Sequence, residues 1–321
     1  MQYKIILGIE SSCDDLSISI SIDRKIVVTK TKSSSSVHAN YGGVVPEIAA
    51  RYHEEVLHQT LKEALLEANI SINKIDLITY TQQPGLLGCL HVAKVFADTL
   101  GFLLNIEVKG INHLYGHIFS PTINDGDSQY SMDDLTYPAL GLVVSGGHTS
   151  IYQVESPTKI TLLDETKDDA IGEVYDKVGR ALDLKYPAGP KIDQMFDQSK
   201  TNTIQFLKTN KLSSFSYSGF KSAVLRYIQQ NKDQPEFDIT KVVSSFQGFI
   251  IDDFINRVKH QINKSPIRFQ TILLGGGVSA NSYLREQLSL LKIKTLIPKK
   301  IYTGDNAAMI VNYTHHLLDQ Q

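Results

Sequence analysis

The order of predicted strands and helices repeats along the chain, and this repetition restricts the fold more than any single motif does. An apolar run over residues 4–9 precedes residues 16–22, whose strict alternation of serine with leucine or isoleucine is typical of a half-buried strand. A turn at residues 23–25 leads to a third apolar run, which predicts a meander. Helices and strands then alternate: a helix over residues 46–68, a strand over 76–80, a helix ending near 104 and a strand over 106–109.

The same order returns after a polar stretch. Residues 121–137 are polar and are predicted to form an exposed loop. Beyond them, apolar runs at 140–145, 150–154 and 160–163 predict a second meander. A long amphipathic helix follows, with apolar residues every three or four positions: Val243, Phe246, Ile250, Phe254, Val258 and Ile262. Strands over 272–274 and 295–297 and a last helix opened by Asp305 complete the series.

Two copies of a ββ(β)αβα unit are the plan of the actin-like ATPase superfamily, which includes sugar kinases. The sequence therefore predicts an α/β, actin-like (ASKHA) fold of two duplicated domains, with the active site in the cleft between them. We predict that residues 1–111 and 305–321 form one domain, and that 112–304, with helical insertions, form the other. In this plan each domain begins with a hairpin that carries a phosphate loop, and the candidates are Gly8–Asp15 and Ser145–Gly147.

Composition and charge exclude several classes of protein. The chain has 321 residues, a net charge of −2 and two cysteines, Cys13 and Cys89. A near-neutral chain has no overall positive field for nucleic acid, so such a contact requires a local patch or a partner. Two cysteines suit a reducing compartment. The apolar start is too short for a signal peptide, and no window approaches the roughly 20 apolar residues of a membrane helix, so we predict a cytoplasmic protein.

Two histidines, His113 and His117, are candidate metal ligands. Residues four apart on a helix project from one face, so both imidazoles can reach one ion; the alternative is two ordinary helix histidines. A metal needs at least one more ligand, and Asp305 is the best third ligand by sequence context, unless it caps the following helix instead. Because Leu114 follows His113, the H-E-x-x-H pattern of zinc proteases is absent.

Two glycine-containing turns are candidate ligand sites. The turn from Ser145 to Gly147 lies between two predicted strands, where backbone N–H groups can approach an anion; a plain hairpin turn is the alternative. The glycines from Gly275 to Gly277 follow a strand and precede a helix near Asn281, the order found in nucleotide sites, and would border an adenosine. They match neither G-x-G-x-x-G nor the P-loop. Asn281 has the alternative role of a helix N-cap.

Two further groups of polar residues are weaker candidates. Asp176 lies on a predicted helix among other charged residues, for which a solvated face with i,i+4 ion pairs is the default interpretation. Basic and aromatic residues between positions 211 and 226 form a weak candidate for an RNA-facing patch: Lys211, Phe215, Tyr217, Phe220, Lys221 and Arg226.

Motifs that resemble one family occur in order over essentially the whole chain. They are Gly8–Asp15, Val37–His53, Pro84–Gly88, Asn112–His117, Val144–Thr149, Asp176-Lys177, Tyr186–Pro190, Phe215–Lys221, Gly275–Asn281 and Gly304–Met309. The family is that of the tRNA threonylcarbamoyladenosine transferases, TsaD (also called Gcp or YgjD). Its shorter, inactive paralogues lack the histidine pair that this chain keeps, so the chain resembles the catalytic branch.

The resemblance implies transfer of the threonylcarbamoyl group from threonylcarbamoyl-adenylate to N6 of the adenosine 3′ of the anticodon, in tRNAs that read codons beginning with A. It implies one divalent metal, iron or zinc, with His113, His117 and Asp305 as its ligands. These three residues would act in catalysis through the metal. It also implies substrate contacts at Val143, Val144, Ser145, Gly146, Gly147, Asp176, Gly189, Asp193 and Asn281. An ATP- or ADP-type nucleotide is a further expected ligand of the same cleft.

The expected partners are tRNA, an inactive paralogue of the TsaB type as dimer partner, a small ATPase of the TsaE type and an upstream adenylate-forming enzyme, without membrane contact. The main alternative is a sugar-kinase-like or chaperone-like ATPase of the same superfold, because fold alone does not fix function. Such ATPases normally position magnesium with carboxylates, so the histidine pair together with Asp305 argues against this alternative. A metalloprotease and a non-catalytic scaffold are the remaining alternatives, and the scaffold predicts neither bound metal nor affinity for the adenylate.

Overall fold

The computed structural model describes residues 3–38, 41, 43–208, 212 and 214–320. The strands are β1 (Ile5–Glu10), β2 (Asp15–Ile22), β3 (Lys25–Ser33), β4 (Leu77–Gln83), β5 (Glu107–Asn112), β6 (Ala139–Val144), β7 (Thr149–Ser156), β8 (Lys159–Glu165), β9 (Thr271–Gly275) and β10 (Lys294–Leu296). The helices are α1 (Ser35–His38), α2 (Pro46–Glu67), α3 (Leu87–Leu104), α4 (His113–Phe119), α5 (Ile171–Ala181), α6 (Gly189–Met195), α7 (Ser218–Asn231), α8 (Ile239–Lys264), α9 (Ser282–Ser289) and α10 (Ala307–Leu318). Short 3₁₀ helices lie at Ile72–Lys74, Ser120–Thr122, Met132–Asp134, Gln198–Lys200, Gly277–Ala280 and Lys300–Tyr302.

The strands form two sheets of the same topology. One has the order β3-β2-β1-β4-β5, and the other has the order β10-β9-β6-β7-β8, which is the same arrangement read from the opposite edge. In each sheet the first three strands are antiparallel, and two further strands are added parallel to the first. Parallel neighbours need crossover connections, which the helices supply. The duplicated ββ(β)αβα plan is therefore confirmed.

Contacts divide the chain into two compact units. The first unit comprises Met1–Leu135 and Pro298–Gln321, and the second comprises Thr136–Ile297. These limits differ from the predicted ones, which fell after residue 111 and before residue 305. The difference arises because α4 packs against β5 and α10 within the first unit. The residues that follow β5 therefore remain with the first sheet.

Helices cover both faces of the sheet in the first unit. Helices α2 and α3 pack on one face, where they share a core with alternate strand residues: Leu7, Ile9, Leu16, Ile18, Ile20, Leu57, Leu61, Ile78, Ala93 and Ala97. Helix α10 packs on the other face, where it contacts β1 and β2. It lies beside Gly8, the residue of β1 between Leu7 and Ile9. A Cβ at Gly8 would lie 2.4 Å from Cγ2 of Val311. The absence of a side chain at this position thus allows α10 to approach the strand.

Helix α8 forms the centre of the core in the second unit. The predicted apolar stripe is buried at Val243, Phe246, Ile250, Phe254 and Val258 and partly buried at Ile262, so the predicted amphipathic helix is confirmed. Phe220 of α7 stacks on Phe249 of α8, with ring centroids 4.3 Å apart. Among the polar residues on the buried side of α8, Gln247 has the largest uncharged side chain and is 0% exposed. Its position in an apolar core indicates a specific set of hydrogen bonds.

Helix α3 is more apolar than the sequence analysis allowed. Among the described residues, this helix is long and apolar enough to cross a membrane by length and composition alone, although only 22% of its residues are buried. Its inward side chains Ala93 and Ala97 pack in the core, and its outer surface carries exposed apolar residues. A charged pair, Lys94 and Asp98, lies along the same helix at 2.5 Å. Length and composition alone do not distinguish a membrane helix from a helix that packs on a sheet, because both can be this long and this apolar.

The prediction of an exposed loop over residues 121–137 is wrong at its start. Thr122 and Ile123 are buried. Oγ1 of Thr122 lies 2.8 Å from Nε2 of His316 and accepts a hydrogen bond from Nδ2 of Asn312 at 3.1 Å. Local composition did not reveal this packing because the partners belong to α10, which is distant in the sequence.

Acid is expected to destabilise the protein through the buried histidines of α10. Burial lowers the pKa of His316 to about 3 and the pKa of His315 to about 4, from an ordinary value of 6.5. The unfolded chain therefore binds protons at a higher pH than the folded chain. The stability that the neutral rings contribute is complete above about pH 6.5 and is lost as the pH falls toward about 4.

Urea denaturation at several pH values measures this effect. We expect His316→Gln to reduce the dependence of the unfolding free energy on pH between about 6.5 and 4, because the substitution removes one of the titrating rings. The exposed His58→Gln variant is the control for the loss of a histidine. If the unfolding free energy of H316Q depended on pH as strongly as that of wild type, His316 would not contribute to the loss of stability in acid.

Candidate functional site

Helix α4 presents the two predicted histidines side by side. Its N-cap is Asn112, whose Oδ1 accepts hydrogen bonds from the N–H groups of Leu114 at 2.9 Å and Tyr115 at 3.3 Å. This cap makes the helix begin at His113, directly after β5. His113 and His117 are buried, and their ring centroids are 4.6 Å apart. The spacing of four residues thus brings the two rings together, as predicted.

Asp305 brings a carboxylate to the two histidines. Its Oδ1 lies 3.0 Å from Nε2 of His117 and 3.7 Å from Nε2 of His113. Ligand atoms from the three residues all lie within 4.8 Å of one another. The alternative role of Asp305 as a helix cap is wrong, because α10 begins at Ala307 and is capped by Asn306, whose side chain accepts from the N–H of Met309 at 3.1 Å.

Glu10 is a residue of this site that the sequence analysis missed. It ends β1 and is fully buried. Its carboxylate accepts hydrogen bonds from the N–H of Ser12 at 2.7 Å and from the hydroxyl of Thr81, and it lies 3.1 Å from Nδ1 of His113. A carboxylate on Nδ1 orients the ring and leaves Nε2 for a metal. The signal in the sequence is an acid at the end of an apolar strand, within the candidate phosphate loop Gly8–Asp15.

The electrostatics of the site favour a cation. Burial lowers the pKa of His113, but the charges of Glu10 and Asp305 outweigh burial and raise that pKa to about 9. Burial and the charge of His113 lower the pKa of His117. The two carboxylates thus stabilise a positive charge between them. Either a proton on His113 or a bound metal ion can supply that charge.

The donor set fits a divalent transition metal. Two imidazole nitrogens and one carboxylate oxygen suit zinc or iron, whereas magnesium prefers oxygen ligands. Nδ1 of His117 is buried and has no hydrogen-bond partner among the described residues. This ring therefore carries a nitrogen that the surrounding protein does not satisfy. His113, His117 and Asp305 are the residues that could hold the ion.

Glu10→Gln is expected to weaken zinc binding about 10- to 100-fold, because the amide has the shape of the carboxylate but neither its charge nor its fixed orientation of His113. Titration of the metal-free protein with zinc, in competition with a chromophoric chelator, measures the affinity. Glu54→Gln, at an exposed position of α2, is the control. If E10Q and wild type bound zinc equally well, Glu10 would not be the group that orients His113.

The two glycine-containing turns of the second unit lie at neighbouring strand ends. Strand β6 runs parallel to β9, with Val143 opposite Gly275. Because the carboxyl ends of parallel strands meet at one edge of a sheet, the turns that begin at Ser145 and Gly275 come together there. Gly276 has a φ of +91°, and a Cβ at this residue would lie 2.4 Å from the carbonyl oxygen of Val144. Gly276 is therefore required by the fold itself.

Other glycines of the second unit have no steric reason to be glycine. A Cβ at Gly146, Gly147, Gly189 or Gly277 would meet none of the described residues within 4 Å. Open space beside backbone N–H groups allows an anion or a nucleotide to approach closely. The hairpin interpretation also holds locally, since the N–H of Ser145 donates to the carbonyl of the residue three positions on, at 2.7 Å. An anion-binding role for this turn remains a prediction.

The polar residues predicted to contact substrate are held in place by hydrogen bonds. Oδ1 of Asp176 accepts from the N–H of Ala188 at 2.9 Å and so fixes the segment before α6. Asp193 on α6 accepts from the N–H of Ser282 at 3.1 Å and from its hydroxyl at 2.8 Å. Asn281 caps α9, in agreement with the alternative interpretation. The structure thus brings Asp193 and Asn281 together at the start of α9.

The basic and aromatic segment offers little exposed aromatic surface. Lys211 lies outside the described residues, as do residues 39, 40 and 42 of the Val37–His53 motif. The aromatic residues of the predicted patch are buried: Phe215, Tyr217 and Phe220. Lys221 pairs with Asp169 at 2.6 Å. The prediction that these aromatic rings face RNA is therefore wrong, because they pack in the core.

Solved structures with this arrangement of sheets have the actin-like fold. Component A of the (R)-2-hydroxyglutaryl-CoA dehydratase of Acidaminococcus fermentans has a TM-score of 0.54 at 15% identity, covering 98% of this chain and 99% of that chain. The ethanolamine utilization protein EutJ of Carboxydothermus hydrogenoformans has a TM-score of 0.50 at 14% identity, covering 98% and 91%. At such identities the likeness shows the fold alone. The protein is therefore an actin-like α/β protein, as the sequence predicted.

Sequence relatives place the chain more narrowly. The family model of TsaD, described as tRNA N6-adenosine threonylcarbamoyltransferase, matches residues 25–312. Relatives with that name are 75% identical over 320 residues in Mycoplasmoides gallisepticum, covering 100% of both chains, and 47% identical over 320 residues in Mycoplasma pneumoniae, covering 98% of this chain and 97% of that protein. The chain belongs to the TsaD family and is a transferase that acts in tRNA modification.

Proposed function

We propose that this chain transfers the threonylcarbamoyl group of threonylcarbamoyl-adenylate to N6 of the adenosine 3′ of the anticodon, in tRNAs that read codons beginning with A. The cluster of His113, His117 and Asp305 in a member of the TsaD family is the observation that carries the proposal. The amine N6 attacks the carbamoyl carbon, the bond from that carbon to the phosphate oxygen breaks, AMP leaves, and N6 loses one proton.

We propose iron or zinc as the ion that these three residues hold. When bound, such an ion supplies Lewis-acid polarisation of the carbamoyl or phosphate oxygens. The chain itself fixes the ligands: Asn112 caps α4, Glu10 holds Nδ1 of His113, and Asn306, the residue after Asp305, caps α10. Burial of the histidines also limits the access of water, which would otherwise hydrolyse the mixed anhydride.

We propose that the second unit binds the adenylate part of the substrate. The backbone N–H groups of Gly146 and Gly147 suit its anionic oxygens, because the glycines leave the backbone open to close approach, whereas the N–H of Ser145 already donates within the turn. Asp193 and Asn281 offer oxygen acceptors to the nucleoside, while Asp176 fixes the turn that precedes Gly189. An ATP- or ADP-type nucleotide is proposed for the same residues because it shares the adenosine group.

We propose that the outer face of α3 docks an inactive paralogue of the TsaB type as dimer partner. Leu87, Val95, Phe102 and Leu103 on this helix are between 65% and 86% exposed. Exposed apolar side chains clustered on one helix are typical of a protein contact. The tRNA, a small ATPase of the TsaE type and an upstream adenylate-forming enzyme complete the proposed partners, and the cytoplasm is the proposed location.

Nucleoside mass spectrometry of a tRNA that reads a codon beginning with A tests this proposal. The tRNA is incubated with the purified protein, its proposed partners and synthetic threonylcarbamoyl-adenylate, with and without a metal chelator. We expect a threonylcarbamoyl adduct on adenosine that the chelator prevents. No adduct in the complete mixture would contradict the proposal. Sugar-stimulated ATP hydrolysis without a transition metal would favour the sugar-kinase-like alternative.

A further inference from the structure

A buried glutamine links the polar residues at the start of α9. Gln247 on α8 is 0% exposed. Its Nε2 donates to Oδ1 of Asp193 at 3.1 Å. Its Oε1 accepts from Nδ2 of Asn281 at 3.0 Å and from the hydroxyl of Tyr175 at 3.2 Å. Because Asp193 belongs to α6 and Asn281 precedes α9, one side chain holds two segments that are distant in the sequence.

The hydrogen-bonding chemistry of these groups fixes the orientation of both amides. A carboxylate only accepts, so Gln247 must turn its Nε2 toward Asp193 and its Oε1 toward Asn281. That oxygen in turn requires Nδ2 of Asn281 as its donor. Oδ1 of Asn281 is then directed to the N–H of Leu284, from which it accepts at 2.8 Å. The carboxylate of Asp193 thus determines, through Gln247, that Asn281 directs its Nδ2 toward Gln247 and its Oδ1 toward the start of α9.

This network leaves acceptor atoms for a ligand. Nδ2 of Asn281 donates to Gln247 at 3.0 Å and to the hydroxyl of Tyr175 at 3.5 Å, so the remaining capacity of its side chain is the second lone pair of Oδ1. Asp193, as a carboxylate, also offers only acceptors. Such atoms match hydroxyl or amino groups of a nucleoside, whereas a phosphate is repelled by the carboxylate. The arrangement therefore favours contact with the nucleoside part of the substrate.

We propose that Gln247 is a positioning residue for the adenylate, which holds the acceptor oxygens of Asn281 and Asp193 in the orientation that the nucleoside requires. This inference rests on the proposed function, since it takes the adenylate as the ligand of these two residues. Gln247 is fully buried and does not itself touch the substrate. Its loss therefore affects binding of the adenylate more than the chemical step.

The test compares the wild-type chain with Gln247→Met and Gln247→Glu. Methionine keeps the volume but removes both polar atoms, and glutamate keeps the acceptor for Asn281 but places a second carboxylate against Asp193. For both variants we expect the KM for threonylcarbamoyl-adenylate to rise about tenfold while kcat changes less than about twofold. Calorimetric titration with AMP is expected to show a similar loss of affinity, independently of any transfer.

A matched control on the same helix separates positioning from general stability. Ser245 is also buried, and its Oγ accepts from the N–H of Ile204 at 3.0 Å, outside the Gln247 network. Ser245→Ala is expected to lower stability but to leave the KM and the AMP affinity unchanged. If wild type binds AMP and both Gln247 variants bind it equally well, the positioning role is overturned. If wild type neither binds AMP nor transfers the group, the proposed function itself fails.

Discussion

Replacing His113 by alanine is expected to lower the transfer of the threonylcarbamoyl group at least about 1000-fold and to abolish stoichiometric metal binding. Catalytic metal sites commonly have three protein ligands, so a site left with His117 and Asp305 alone binds its ion poorly. The variant also leaves the buried carboxylate of Glu10 without its imidazole partner. Metal content by elemental mass spectrometry and kcat/KM by nucleoside analysis measure the two effects together.

A second variant at the same position separates metal loss from unfolding. His113→Gln keeps a hydrogen-bonding group beside Glu10, so its fold should be retained while the imidazole ligand is lost. His58→Ala, at an exposed position of α2, is the control for nonspecific loss of metal. A His113 variant that transferred the group at the wild-type rate would show that this histidine is not a ligand of a catalytic ion.

Gly276→Ala is expected to destabilise the second unit by about 3 kcal/mol or more. The φ of +91° at this residue is strained for alanine, and the added Cβ would lie 2.4 Å from the carbonyl oxygen and 2.7 Å from the carbonyl carbon of Val144. The neighbouring backbone cannot move away easily, because β6 is fully buried and pairs with a strand on each side. Urea denaturation measures the change in the free energy of unfolding.

The adjacent glycine provides the control for this prediction. A Cβ at Gly277 would meet no heavy atom of the described residues within 4 Å. Gly277→Ala should therefore change the free energy of unfolding by no more than about 0.5 kcal/mol. Equal stability of G276A and G277A would mean that the close approach to Val144 does not constrain the turn.

The fold could be predicted from the sequence because each element carries its own periodicity. The alternating residues of β2 and the apolar stripe of α8 indicated a strand and a long helix without reference to the rest of the chain. The limits of the two units could not be predicted in this way. They depend on the packing of α4 against α10, two helices at distant positions in the sequence. The same long-range packing buries Thr122, in a segment whose composition suggested an exposed loop.

The candidate site shows the same division between local and long-range information. The i,i+4 spacing of His113 and His117 is local, and the structure confirms that both rings lie on one face. Glu10 and Gln247 were missed because each acts through contacts with residues far along the chain. The burial of Phe215, Tyr217 and Phe220 could not be predicted for a related reason, since an aromatic residue near a lysine in sequence can face either solvent or the core.

Anomalous X-ray scattering from crystals of the protein, purified without chelators, tests most directly whether His113, His117 and Asp305 form the metal centre. We expect one peak at an iron or zinc absorption edge, within bonding distance of a ring nitrogen of each histidine and of a carboxylate oxygen of Asp305. A peak at other residues, or no peak in crystals of a preparation that transfers the threonylcarbamoyl group, would contradict this expectation.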